Sequence, residues 1–450
     1  MVPRVRLRRP TRRSQLRRTG IVLLAIATLG AIVALAGCGS TLRDDAAEDA
    51  RADVDTATPG SCAASVLEAL GGVAKRVYAE GVSSERTASA LHMIVGSNAL
   101  REAVEAGDAP ATRTAARALI ATGHLTNLRI VRDGKVLIDL GGPALAPFGG
   151  TLSDAAGKPI ASFVTSVWAA GGLIAETNGI AEGATTLQSG GRTFAGEFEL
   201  PAGALPAQGT LTRNGVPYQY TSYAARSYPR GDAVRVFLLR AISSIEPLCG
   251  ASSEDTVTNT LSHIARLIYE GEAGRRSLTQ IHRVQRNGPL LRAVAASNPV
   301  ATRAAVAALL HQHIVRLRVR SGSDSAASGS GGGASGSDGG RLLADVGGPF
   351  VLAPVEAPLR LGGRKIGSFV LSIQDDEGYK RLANRLAGLD VLMYMGSRLV
   401  KSTLGAAPGP VPTSGPFSFH GRSYRLYTFT AKAFPTGPLR ITVLIPMPYS

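Results

Sequence analysis

Across its 450 residues the chain holds none of the short signatures that carry catalysis. There is no Gly-x-Ser-x-Gly turn, no phosphate-binding loop, no His-Glu-x-x-His and no cysteine pair at metal-ligand spacing. Hydrolytic, nucleotide-transfer and zinc chemistries therefore lack their usual residues, and the chain is read as a non-enzyme with no cofactor and no metal. Aromatic residues make up only 5%, and the basic residues are scattered rather than striped among aromatics. That pattern argues against nucleic acid as a partner. Histidine is also scarce, with His311 and His313 the nearest approach to a metal pair. His124 and His313 each fall at a helix-to-strand junction, where a histidine satisfies terminal carbonyls, and no acid or cysteine stands nearby in sequence to complete a metal site.

The N-terminal region has the opposite character. Its first nineteen residues carry eight arginines and no acid, and an uncharged, mostly aliphatic run follows from Ile21 to Ala36. A basic segment, a short apolar segment and small residues before a cysteine describe an export signal over residues 1–37. Leu35-Ala36-Gly37-Cys38 resembles the bacterial lipobox. The resemblance implies that Cys38 is lipidated and becomes the mature N-terminus; an uncleaved membrane anchor is the alternative. Either reading places the rest of the chain on the outer face of the cytoplasmic membrane, in the cell envelope. Without those eight arginines the formal charge falls from +16 to +8. Residues 38–60 are polar and end in Pro59-Gly60, as a tether would. The two cysteines left after lipidation, Cys62 and Cys249, favour a disulfide over two free buried thiols in an exported protein.

The remainder says nearly the same thing twice. Tyr78, Glu80 and Gly81 return as Tyr269, Glu270 and Gly271, and Asp139-Leu140-Gly141-Gly142-Pro143 as Asp345-Val346-Gly347-Gly348-Pro349. Ile160-Ala161-Ser162-Phe163-Val164 returns as Ile366-Gly367-Ser368-Phe369-Val370, and Tyr228-Pro229 as Phe434-Pro435. The offset is 191 residues early and 206 later. Two repeats follow, 61–249 and 250–450, with an insertion at 321–340 that is almost entirely Gly, Ser, Ala and Asp and reads as a flexible excursion between two strands.

Each repeat opens with helical periodicity, as in Val66, Leu67, Leu70, Val73, Ala74 and Val77, and in the first a second helix is expected from about Ser97 to Ala106 and a third from Ala111 to His124. The period then changes to two. Leu128–Val131 and Val136–Leu140 flank Asp133-Gly134, a strong hairpin signal. Further strands are expected at Ile160–Val167, Tyr218–Ala224 and Ala233–Leu239, with counterparts in the second repeat. The expected class is α+β: in each repeat, N-terminal helices followed by a five- to six-stranded, mostly antiparallel sheet. The order resembles the extracytoplasmic Cache family of PAS-like sensor domains. The passages that carry the resemblance are Gly340–Asp345, Ala353-Pro354 through Ile366-Gly367-Ser368-Phe369-Val370, and the closing strand pair. It implies a sheet that cups a small ligand.

Candidate ligand contacts follow from side-chain placement. Ser368 and Ser372 share one strand face with Ser162 and Ser166 at the matching positions. Tyr218, Tyr220 and Arg226 offer stacking surface and an anion partner, as do Tyr424 and Lys432 in the second repeat. Asp375 and Asp376 either start a helix or grip a cation. Surface-anchored sensing of an unknown small molecule is the expected function. With no kinase-like or methyl-accepting stretch in the sequence, the signal is expected to pass to a separate membrane signalling protein. The alternative is a structural or accessory envelope lipoprotein that acts through protein contacts.

Overall fold

The computed structural model describes residues 61–273, 275–310, 314–322, 340–348, 351–405, 408–434 and 437–447. The lipobox with Cys38, the tether, His311, His313 and most of the 321–340 insertion lie outside the described residues.

Four helices open the first half: α1 (Cys62–Ala79), α2 (Glu85–Val95), α3 (Asn98–Ala106) and α4 (Ala109–Ala121). Strands β1 (Asn127–Arg132), β2 (Lys135–Leu140), β3 (Ala144–Leu145), β4 (Phe148–Ser153), β5 (Pro159–Ser166) and β6 (Trp168–Ala169) come next. Helix α5 (Ala170–Ala181) leads to β7 (Ala184–Ser189), β8 (Arg192–Gly196), β9 (Gln208–Arg213), β10 (Val216–Arg226) and β11 (Ala233–Ala241). After the short α6 (Ile242–Ile245) the order recurs. The helices are α7 (Ser253–Ala273), α8 (Arg275–Gln285), α9 (Gly288–Ala295) and α10 (Pro299–Leu310). The strands are β12 (Arg316–Ser321), β13 (Leu342–Gly347), β14 (Val351–Leu352), β15 (Val355–Leu361), β16 (Arg364–Ser372) and β17 (Gln374–Asp375). Helix α11 (Asp376–Ala387) then precedes β18 (Asp390–Met395), β19 (Arg398–Ser402), β20 (Ser414–Phe419), β21 (Arg422–Phe434) and β22 (Gly437–Pro446).

The class is α+β, but the expectation of one sheet per repeat needs correction, because each half builds two main sheets. In the first half the strand orders are β2-β1-β5-β4 and β8-β7-β11-β10-β9; in the second, β13-β12-β16-β15 and β19-β18-β22-β21, with β20 beside β21. The cause is local. The Ser166 hydroxyl donates to the Leu145 carbonyl and accepts from the Trp168 backbone N–H at 3.0 Å. This latch ends β5 and turns the chain through β6 into α5, so the later strands cannot join the first ladder. Ser372 makes the same latch, donating to the Leu352 carbonyl and accepting from the Gln374 backbone N–H at 3.4 Å.

Sequence chemistry accounts for the smaller elements. Ser61 caps α1 through the Ala64 N–H at 3.2 Å, and Ser84 and Thr87 form a capping box on α2. The β1–β2 hairpin turns at Asp133 (φ 49°) and Gly134 (φ 74°), the positive-φ pair that such a tight turn demands. The strands that flank the insertion, β12 and β13, pair with each other.

One core crosses both halves. The apolar stripe of α1, with Val66, Leu70, Val73 and Val77, joins Ile264, Ala265 and Ile268 of α7 in a single buried cluster. Alternate residues of the two larger sheets close on it: Val234, Val236 and Leu238 from β11, and Ile441, Val443 and Ile445 from β22. Two hydroxyls tie the layers together. Tyr223 donates to the Ala74 carbonyl at 3.1 Å, and the fully buried Tyr379 of α11 donates to the Ala265 carbonyl at 2.9 Å. By backbone contacts, the described residues belong to one compact unit.

Cys62, the first residue of α1, and Cys249, just before α7, are bonded, with Cα atoms 5.5 Å apart. The bond therefore staples one end of the central helix pair. Replacing both cysteines by serine is expected to cost about 2–5 kcal/mol, read as a lower denaturant midpoint; an unchanged midpoint would contradict that role.

On the smaller sheet of the second half, Arg316 and Arg318 both grip Asp345, at 2.9 and 2.8 Å. Burial alone would raise this carboxyl, but the two guanidiniums outweigh it and hold its pKa below the ordinary aspartate value. A depressed carboxylate stabilises the fold above its unfolded pKa of about 4 and loses that contribution as pH falls through the folded pKa. The melting temperature should therefore fall below about pH 4, and less steeply in Asp345→Asn, which starts from a lower value at neutral pH. Parallel acid profiles for the two proteins would refute this assignment.

Candidate binding cup

The larger sheet of each half has an outer face, turned away from the central helices. In the second half, alternation along β18, β21 and β22 sends Val391, Met393, Phe429, Ile441 and Val443 inward and Leu392, Tyr394, Leu426, Thr428, Arg440 and Leu444 outward. The outer face is apolar at one end, where Leu392, Tyr424, Leu426 and Leu444 cluster. It becomes polar along the sheet. The Thr428 and Thr442 hydroxyls pair at 2.9 Å, and Arg440 stands opposite Tyr394 across strands with its guanidinium 4.6 Å from the ring centre.

A concave cleft of about 570 Å³ opens at this polar end. Tyr394, Leu399 and Arg440 line it on the sheet side, and Pro408, Pro410 and Val411 on the other. The Arg440 Nε is buried without a hydrogen-bond partner. Burial raises the Tyr394 phenol above its ordinary pKa, with Arg440 opposing, so the ring stays neutral at physiological pH. The cleft thus presents a buried cationic donor, an aromatic face and apolar walls, the mixture that holds a small partly polar molecule.

The first half shows the same frame filled. Gln188 and Arg235 stand opposite each other where the second half has Tyr394 and Arg440. Gln188 donates to the Pro201 carbonyl at 3.2 Å, and Arg235 donates to the Leu205 carbonyl. The covering segment drops Leu200 and Leu205 into the apolar cluster around Tyr220 and Phe237.

The residues singled out from sequence do not converge on one place. Tyr220 is fully buried in that first-half cluster, edge-on to Phe237 at 5.7 Å, and Tyr218 meets Phe198 edge-on at 5.1 Å. Arg226 reaches the Gly231 carbonyl at 3.0 Å, while its backbone N–H donates to the Tyr78 hydroxyl at 2.9 Å. Lys432 repeats the backbone contact, donating to the Tyr269 hydroxyl at 2.8 Å. Ser372 is the latch described above, and Ser368 is buried in the middle of β16. Asp375 caps α11 by accepting the Gly378 N–H at 2.6 Å. Asp376 lies 3.5 Å from Lys401. Its neighbour Glu377 is held at about 2, by Lys380 first and Lys401 second. Of the set, Tyr424 alone belongs to the apolar cluster beside the open cleft. Tyr394 and Arg440 were missed; the available signal was a tyrosine and an arginine on the polar face of otherwise apolar strands.

Among the described residues, no helix is long and apolar enough to cross a membrane, and no group of three or more His, Cys, Asp or Glu is placed to hold a metal ion. Comparisons with protein-family models, curated proteins and solved structures give no match.

Proposed function

We propose that the protein is a lipid-anchored extracytoplasmic module, built on two Cache-like repeats, that binds a small molecule and passes the signal to a separate membrane protein. The observation that carries this reading is the contrast between the halves. One sheet face is closed by its own covering segment, and the other keeps an open cleft with an unpaired Arg440 donor. A buried donor left without a partner costs free energy, so a ligand that accepts from Arg440 is favoured there. The open cleft supports binding over a purely structural role in the envelope. The lipobox-like tetrad ending at Cys38 and the arginine-rich leader support the anchor and the compartment.

A thermal-shift screen of organic acids, amino acids and polyamines on the full chain tests the reading. A compound at a hundredfold excess over its Kd stabilises by about 2.7 kcal/mol, which is readily measured as a higher melting temperature. Arg440→Ala is expected to abolish the shift given by at least one compound of the panel while the unliganded protein still melts cooperatively. A panel without any stabilising compound, or one in which every stabilising compound shifts Arg440→Ala as much as the wild type, would overturn the assignment of this cleft.

A further inference from the structure

A second cleft, of about 430 Å³, lies against α11. Its apolar wall is Leu310, Ile314, Ile373 and Leu382, and Arg381 and Arg385 stand on its α11 side. Asp375 also lines it but is already engaged as the α11 cap. Arg385 is paired with Glu80 of the first half, whereas Arg381 has no ion pair among the described residues. The floor carries Gln374, only 4% exposed, and neither its amide oxygen nor its amide nitrogen has a hydrogen-bond partner.

In the first half the corresponding position holds Trp168, which lines a separate cleft of about 340 Å³ together with Val77, Arg86 and Arg385. Trp168 matches Gln374 in order, one residue past the latch serine and its neighbour, and its indole donates to the Val77 carbonyl at 3.1 Å. Trp168 presses so closely on Gly81 that a Cβ there would lie 2.3 Å from the ring. On α5, Ala175 and Gly179 stand where α11 has Arg381 and Arg385. The second half therefore carries a buried amide without a partner in place of a hydrogen-bonded indole, with two cations beside the space.

We propose that this cleft is a second binding site, for a small monocarboxylate with an apolar body. The carboxylate would meet Arg381 in a charge-assisted pair, the Gln374 amide would gain a partner, and the apolar body would lie on Leu310, Ile373 and Leu382. Because α11 packs on α1 of the first half, the occupant would sit beside the junction of the two halves.

The test is calorimetric and thermal-shift titration of the full chain with isovalerate and phenylacetate, and with isovaleramide as the uncharged control. Both acids should bind and raise the melting temperature, and the amide should not. Arg381→Ala, at an exposed helical position, should weaken acid binding about tenfold. Gln374→Trp, which puts the first-half side chain in place of the amide and fills the cleft, should abolish it, and Arg440→Ala should leave it intact. The proposal is overturned if neither acid binds, if the amide binds as well as the acids, or if binding survives Arg381→Ala unchanged. Should Gln374→Trp fail to fold, the Arg381→Ala result decides the matter. Loss of acid binding in Arg440→Ala would assign the acids to the cup and also overturn the second site.

Discussion

Everything else in this structure depends on the packing of α1 against α7. Each long helix offers an apolar stripe wider than its own sheet can cover, and each finds the remainder of its partner in the other half. Val66, Leu70, Val73 and Val77 meet Ile264, Ala265 and Ile268, and α5 and α11 close over the opposite long helix. A fully buried Val, Leu or Ile contributes roughly 1.5–3 kcal/mol, so separating the halves would expose surface worth several times that. The Cys62–Cys249 bond fixes one end of this seam, and Tyr379 fixes α11 to it from within the core. The sheets are then held at their inner faces, which leaves their outer faces for other uses.

A shared frame makes the differences between the halves informative. At two places the halves fill equivalent positions with different side chains. On the outer sheet face, Arg235 and Gln188 are bound to the carbonyls of a covering segment, where Arg440 and Tyr394 line a cleft. Beside the seam, the Trp168 indole is hydrogen-bonded where the Gln374 amide has no partner. Buried atoms without a partner are not confined to the second half, since the Thr185 and Tyr220 hydroxyls of the first half are among them.

Much of the fold was legible in the sequence because its signals are local. The α1 stripe, the Asp133-Gly134 turn and the pairing of Cys62 with Cys249 each follow from neighbours in the chain or from residue type. The division into two sheets was not legible, because it rests on a serine hydroxyl whose partner is twenty-one residues away. Helix α5 gave little warning, since Ala170-Gly171-Gly172-Leu173 has no polar face and two glycines, both poor helix formers. Alternation placed Tyr220 and Ser372 on particular strand faces, but it does not distinguish a pocket wall from a packed second core, and both faces of these strands are covered. Tyr394 and Arg440 meet only through the register of β18 on β22, a non-local fact.

The chain contains a single tryptophan, Trp168, set in the first half beside the seam. Its fluorescence reports the first half and its seam, whereas far-ultraviolet circular dichroism reports helices and strands throughout. Following denaturant unfolding with both probes tests the shared core directly. One cooperative body predicts coincident transitions with a single midpoint. A tryptophan transition separated from a second change in circular dichroism would show that the halves unfold independently, and would contradict the account.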